Sequence, residues 1–231
     1  MAECTKKPKR LPHWFKQTGG KLKAVRKLSD QLDGDVPHSI CEEARCPNRS
    51  ECFSKGVLTF MILGTVCTRN CGFCSVEFGR PMPPDAKEAD QIINAIEKLN
   101  LRFVVLTSPN RDDLPDEGSG HYAYIIRRIR EAHPSVKIEV LIPDFKGKDE
   151  CLAIVMAAKP DVINHNVETV PSLYKTVRKG SLYNRSMNLL KTLRSASKSQ
   201  NSKLLTKTVV MVGLGETKEE LKLVFQDAYD S

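Results

Sequence analysis

The chain has 231 residues, 40% of them hydrophobic and 28% charged, enough to bury the core of one large domain or two small ones. No apolar run approaches the roughly 18 residues of a membrane span, and the basic start MAECTKKPKRLPHWFK has neither the apolar stretch nor the small-residue site of a secretory leader. The net charge of +8, crowded into the first 27 residues and 175–207, suits an acidic partner or a solvated surface, while a single Trp and no aromatic interleaving argue against nucleic acid.

Residues 1–56 read as an irregular, charged N-terminal extension that carries a group of cysteines. From Val57 the texture changes to alternating strands and helices. VLTFMILG (57–64) is a buried-strand run, and DAKEADQIINAIEKLN (85–100) has apolar residues at helical spacing. RFVVLTS (102–108), VKIEVLIP (136–143), DVINHNVET (161–169) and LLTKTVVMVGLG (204–215) read as strands. HYAYIIRRIREAH (121–133), DECLAIVMAAK (149–159), SMNLLKTLRSASKS (186–199) and TKEELKLVFQDAYD (217–230) read as helices, the last opening with a capping box of Thr217 and Glu220. Five β–α units in series over 57–231 predict an α/β fold with a parallel sheet, wound as a barrel or partial barrel rather than doubly. Functional residues then belong at the carboxyl ends of the strands.

Six of the eight cysteines fall into two groups of three. CTRNCGFC places Cys67, Cys71 and Cys74 at C-x3-C-x2-C spacing on the loop after the first strand, and CEEARCPNRSEC places Cys41, Cys46 and Cys52 at C-x4-C-x5-C. Without an export signal, clustered thiols point to metal rather than disulfides. Structural zinc takes four ligands, commonly from paired knuckles. Three thiolates on one loop instead suit a [4Fe–4S] cube with one iron left open. Zinc in an interaction module is the alternative, told apart by metal content and colour. Cys4 and Cys151 lie outside both groups, and Cys151 opens an apolar helical pattern as a small buried hydrophobe.

The C-x3-C-x2-C loop resembles that of radical S-adenosylmethionine enzymes, whose partial (β/α)6 barrel agrees with the serial order of the units. The set CEEARCPN, ECF, TFMILG, CTRNCGFC, RDDL, PDF, NHNVETV and MVGLGET narrows the resemblance to the lipoyl synthase family, from about residue 11 to the last helix. That family is a sulfurtransferase that inserts two sulfur atoms at C6 and C8 of a protein-bound octanoyl chain, making the lipoyl cofactor. An unactivated methylene offers no acidic proton or leaving group, so the chemistry must be borne by a cofactor. The resemblance implies two [4Fe–4S] clusters and S-adenosylmethionine. Cys67, Cys71 and Cys74 would hold the cluster that cleaves S-adenosylmethionine, and Cys41, Cys46 and Cys52 an auxiliary cluster consumed as sulfur donor.

Partners implied are an octanoylated acidic lipoyl-carrier domain or glycine-cleavage H protein, and an electron donor such as flavodoxin or ferredoxin, with no membrane. The implied compartment is the cytoplasm, or the mitochondrion or plastid in a eukaryote. Thr107 and Ser108 in TSPNRDD, Asn164, Asn166 and Glu168 in NHNVET, Arg178 in TVRKG, and Gly213 and Gly215 in MVGLGE are the implied S-adenosylmethionine contacts, Arg178 for its carboxylate. Each is equally readable as a turn, cap or core polar residue. His165 alternates in direction with Asn164 and Asn166 and reads as readily as a satisfied buried histidine.

Three features depart from the family. The family's sixth unit and its closing Arg-Ser-Ser-Tyr segment, whose serine is the fourth ligand of the auxiliary cluster, have no counterpart before DAYDS, and Ser231 does not inherit that role. TSPN replaces the usual TSVD, and TKTVV (206–210) lacks the usual Gly. The expectation is a C-terminally truncated member, with a non-catalytic cluster-binding or metal-binding fragment as the alternative. A biotin-synthase-like sulfur inserter is the runner-up within the superfamily, and it lacks the CEEARCPN group.

Overall fold

A computed structural model describes Cys52 and residues 55–199 and 203–231, the side chain of Ser199 apart. The expected extension over 1–56 therefore lies outside the described residues, except for Cys52, Lys55 and Gly56.

In chain order the elements are β1 (Val57–Met61), β2 (Val66–Cys67), β3 (Glu77–Phe78), α1 (Glu88–Leu99), β4 (Phe103–Thr107), α2 (Ser119–Ala132), β5 (Lys137–Leu141), α3 (Asp149–Ala157), β6 (Val162–Asn164), α4 (Tyr174–Val177), α5 (Tyr183–Ser199), β7 (Leu205–Lys207) and α6 (Lys218–Asp230). The main sheet runs β1-β4-β5-β6-β7 with every pairing parallel. Each β–α step advances one place in one direction. That is barrel winding, because a doubly wound sheet reverses at a switch point.

The core lies between the sheet and its helices. Leu58 and Phe60 of β1, Val104 and Leu106 of β4, Ile138 and Val140 of β5 and Ile163 of β6 alternate onto the helix side, as period-2 geometry requires. They meet Ile92 and Ile96 of α1, Ile125, Ile126 and Ile129 of α2, and Leu152 and Val155 of α3. Each side chain buried this fully contributes roughly 1.5–3 kcal/mol. Cys151 is buried in the same cluster, consistent with its reading as a small hydrophobe.

Two strands are shorter than the apolar runs suggest. β6 ends at Asn164 and β7 at Lys207, where the sequence predicts strands to 169 and 215. The ladder stops at the Asn164–Lys207 pair, and pairing resumes only as a single bridge from Glu168, at a left-handed φ of 69°, to Val210. Periodicity also missed the β2–β3 ribbon, which brackets the cysteine loop, and the short α4.

Glu88, the first residue of α1, sets the path into that loop. Its carboxylate accepts the N–H groups of Leu63 (2.9 Å) and Gly64 (3.2 Å) and meets His121 Nε2 at 2.7 Å. Leu63 and Gly64 both have positive φ, so these bonds hold a turn that the backbone alone would not favour. The capping box read at α6 is present, with Thr217 and Glu220 exchanging bonds.

At the amino end of the sheet Asp161 accepts from Arg130 (2.8 Å), Lys137 (2.8 Å) and the Ile138 N–H (3.0 Å). Burial would raise its pKa, but these donors outweigh it and hold the carboxyl at about 2, below its ordinary 3.8. A folded pKa below the unfolded value gives stability that is complete above the unfolded pKa and is lost as pH falls through the folded one. Asp161→Asn is therefore expected to be less stable than the parent at neutral pH and to converge on it between about pH 4 and pH 2. Urea midpoints measured across that range would check this, and parallel curves for the two proteins would refute it.

Candidate active site

A cavity of about 360 Å³ opens at the carboxyl ends of the strands. Its floor and walls come from Met61 closing β1, Thr107 and Ser108 closing β4, Leu141, Ile142 and Pro143 following β5, and Asn166 and Glu168 following β6. The cysteine loop covers one side, contributing Cys67, Cys71, Phe73 and Cys74.

Cys67 ends β2 and is buried, and its sulfur accepts the N–H groups of Arg69 and Asn110, each at 3.3 Å. The Asn110 side-chain amide also points at this sulfur, from 3.8 Å. Cys71 and Cys74 lie on the next turn, closed by the Cys74 N–H to the Cys71 carbonyl at 3.1 Å. The turn rests on α4, with the Gly72 N–H donating to the Val177 carbonyl at 2.8 Å. Burial pushes the Cys71 thiol up to about 11, against the pull of Arg178, and burial raises Cys74 as well. A thiol binds metal as its thiolate, so a cation bound here would supply the charge that burial disfavours.

Among the described residues, no three His, Cys, Asp or Glu side chains are gathered as the ligands of a metal ion. The three thiols instead stand around one cavity. A polynuclear cluster takes one thiolate per iron from around such a cavity, whereas a zinc ion draws its ligands to one point. The residues fit a cluster, and the N–H···S bonds at Cys67 are of the kind that tunes one.

The structure brings Thr107, Ser108, Asn166, Glu168 and Arg178 to the same cavity. Tyr122 donates its hydroxyl to the Leu141 carbonyl (2.8 Å) and meets the Ser108 hydroxyl at 3.0 Å, which ties the β4 and β5 ends together. Asn166 leaves its buried Oδ1 without a hydrogen-bond partner among the described residues. Burial raises Glu168 above the ordinary carboxylate range, opposed by a bond from Asn166 and by the charge of Arg178. Asn164 is buried outside the cavity lining, its amide donating to Glu139 at 3.3 Å. Gly213 and Gly215 are exposed and also outside the lining. There the Glu216 carboxylate folds back onto the N–H groups of Gly213 and Leu214 and closes a turn of its own. His165 is fully buried and hydrogen-bonded at both ring nitrogens. Of the other cysteine group, Cys41 and Cys46 lie outside the described residues, and Cys52 is half-buried.

Reading the sequence missed the charged support beneath the loop. Arg69 spans Asp112 after β4 (2.6 Å) and Asp144 after β5 (2.9 Å) and donates to Ser181 (3.0 Å), while Arg185 also reaches Asp144 (3.1 Å). Asp112 and Asp144 are both held below the ordinary carboxylate range, because the pairing with Arg69 outweighs the cost of burial. The signal was present as RDDL and PDF at two strand ends, but charge there is also what a solvated loop looks like.

Residues 61–228 match the profile of the Radical SAM superfamily. Among solved structures, methylornithine synthase superposes with a TM-score of 0.54 at 15% identity over 91% of this chain, which spans only 56% of that protein; the likeness shows the fold. The fold, the cysteine loop and this match define a radical S-adenosylmethionine protein.

The relatives narrow the class. Lipoyl synthase of Caldicellulosiruptor saccharolyticus is 47% identical over 94% of this chain and 74% of its own length. Those of Histophilus somni (strain 2336) and Pasteurella multocida are each 49% identical over 95% of this chain and 68% of theirs. The chain belongs to the lipoyl synthase family.

Proposed function

We propose that the chain carries out the reaction of its family, as a sulfurtransferase that makes the lipoyl cofactor on a protein-bound octanoyl chain. The observation that carries this is the gathering of Cys67, Cys71 and Cys74 around one cavity at the carboxyl face of the sheet. When bound there, a [4Fe–4S] cluster and S-adenosylmethionine supply a radical able to take hydrogen from an unactivated carbon.

The chain's own residues do the rest. Cys67, Cys71 and Cys74 hold the cluster, and the N–H groups of Arg69 and Asn110 support the Cys67 sulfur. Thr107, Ser108, Asn166 and Glu168 form the walls for S-adenosylmethionine, and Arg178 faces its carboxylate. Phe73, Met61 and Leu141 line the cavity with apolar surface that keeps water from the reacting carbon. Cys41, Cys46 and Cys52 hold the second cluster, the sulfur source. The substrate is an octanoyl group on the lysine of an acidic carrier domain or of the glycine-cleavage H protein, to which the net charge of +8 is complementary. Flavodoxin or ferredoxin supplies the electron. No helix among the described residues is long and apolar enough to cross a membrane.

The test is anaerobic reconstitution with iron and sulfide, followed by S-adenosylmethionine, dithionite and an octanoylated carrier domain, with mass spectrometry of the carrier. Two sulfur atoms gained per carrier is the expected result. Cleavage of S-adenosylmethionine with an unchanged carrier would make this a cluster-binding chain without sulfur transfer. Stoichiometric zinc and no iron would overturn the reading altogether.

A further inference from the structure

Behind the cavity wall a chain of buried polar groups ends on Arg178. Its Nη1 donates to the Val167 carbonyl (3.2 Å), the Tyr174 hydroxyl (3.1 Å) and Ser186 Oγ (3.2 Å). Ser186, on α5, lies 2.9 Å from His165 Nε2, and His165 Nδ1 lies 3.0 Å from the Ile142 carbonyl. A carbonyl only accepts, so Nδ1 carries the proton and Nε2 must accept from the Ser186 hydroxyl. That commits the Ser186 proton and leaves its lone pairs to Arg178. Every bond direction follows: Arg178 to Ser186, Ser186 to His165, His165 to Ile142.

Burial and the charge of Arg178 pull His165 down to about 4, so the imidazole stays neutral and keeps its acceptor near neutral pH. His165 and Ser186 are both fully shielded and neither lines the cavity, so neither can touch a ligand there. Arg178 does line it, at 9% exposure. Its side-chain hydrogen bonds among the described residues all use Nη1 and all go to neutral oxygens, which leaves the other edge of the fork to the cavity. Glu168 on the same cavity wall feels the Arg178 charge but makes no hydrogen bond or ion pair with it among the described residues, so the open edge of this buried guanidinium is matched by a carboxylate of the ligand.

We infer that His165 and Ser186 are positioning residues that aim the Arg178 guanidinium at a carboxylate-bearing ligand in the cavity. The inference rests on the reading of the cavity as the S-adenosylmethionine site, with Arg178 at the carboxylate.

The test is equilibrium binding of S-adenosylmethionine and of its decarboxylated analogue to the anaerobically reconstituted protein, without reductant. Ser186→Ala and His165→Leu are expected to weaken S-adenosylmethionine about five- to tenfold and to leave the decarboxylated analogue unaffected. His165→Gln, which offers an acceptor near the Nε2 position, should recover most of the loss. In turnover the same variants raise KM for S-adenosylmethionine more than they lower kcat. Arg178→Ala is the reference. If it leaves affinity unchanged, the assignment of Arg178 is wrong. If it weakens binding while Ser186→Ala and His165→Leu do not, or if both ligands weaken equally, the positioning role is overturned. Should Ser186→Ala fail to fold, the comparison of His165→Leu with His165→Gln decides alone.

Discussion

Alanine at Cys67, Cys71 or Cys74 is expected to lower the iron bound after anaerobic reconstitution from about eight to about four per chain, with acid-labile sulfide falling in step. Cleavage of S-adenosylmethionine should fall by more than the about 10–100-fold that loss of an outer partner of a metal site costs. The three positions are expected to be equivalent although their surroundings differ, with Cys67 buried and Cys74 exposed. Each thiolate would hold its own iron, so no neighbour could substitute. Cys151→Ala is the control, since that thiol is packed in the hydrophobic core and should leave iron unchanged. Cys52→Ala should also remove about four irons while cleavage persists, the result that would assign the two cysteine groups to separate clusters with separate roles. Unchanged iron in Cys71→Ala would remove the basis for placing a cluster on this loop.

Arg69→Ala should be the most destabilising single change around the site. The Arg69 side chain is 5% exposed and grips Asp112 through two bonds, Nη2 at 2.6 Å and Nε at 2.7 Å, with Asp144 at 2.9 Å. Removing one partner of a buried pair typically costs about 3–5 kcal/mol, because the other charge stays buried without compensation. The lower end applies here. Asp144 keeps Arg185 at 3.1 Å, and the partly exposed Asp112 keeps Lys146 at 3.8 Å. For a chain of this size about 3 kcal/mol corresponds to a melting point lower by roughly 6–12 °C. Because Arg69 ties the cysteine loop to two strand ends and to Ser181, iron uptake should become slower and less complete at temperatures where the variant remains folded. Thermal unfolding by circular dichroism, alongside the rate of cluster assembly, checks both. A shift under about 2 °C would mean that the loop is held by its backbone contacts to Asn110 and Val177 instead.

Much of the architecture was legible in the sequence because it is local. The alternation of Leu58 and Phe60 with inward neighbours, the helical spacing of Ile92 and Ile96, and the Thr217–Glu220 capping box are each set within a few residues. The C-x3-C-x2-C spacing likewise fixes three thiols on one loop whatever surrounds it, and the repeated β–α order leaves few ways to wind a parallel sheet. Those features determined the fold class, the cysteine loop and the family.

The tertiary structure alone decided what supports the loop and which candidates share its cavity. Arg69 finds Asp112 across 43 positions and Ser181 across 112, and a residue type that ordinarily marks a solvated loop becomes a buried brace. Asn164 and Asn166 are two residues apart on one strand path, yet only Asn166 reaches the cavity, since the strand ends at Asn164 and Glu168 turns left-handed soon after. Gly213 and Gly215 look suited to close approach, but Glu216 draws that turn onto itself. The physical reason is common to all of these. Periodicity and spacing report which face of an element is apolar, whereas a hydrogen bond or ion pair between distant segments depends on where their ends meet, which the chain determines only once the sheet has formed.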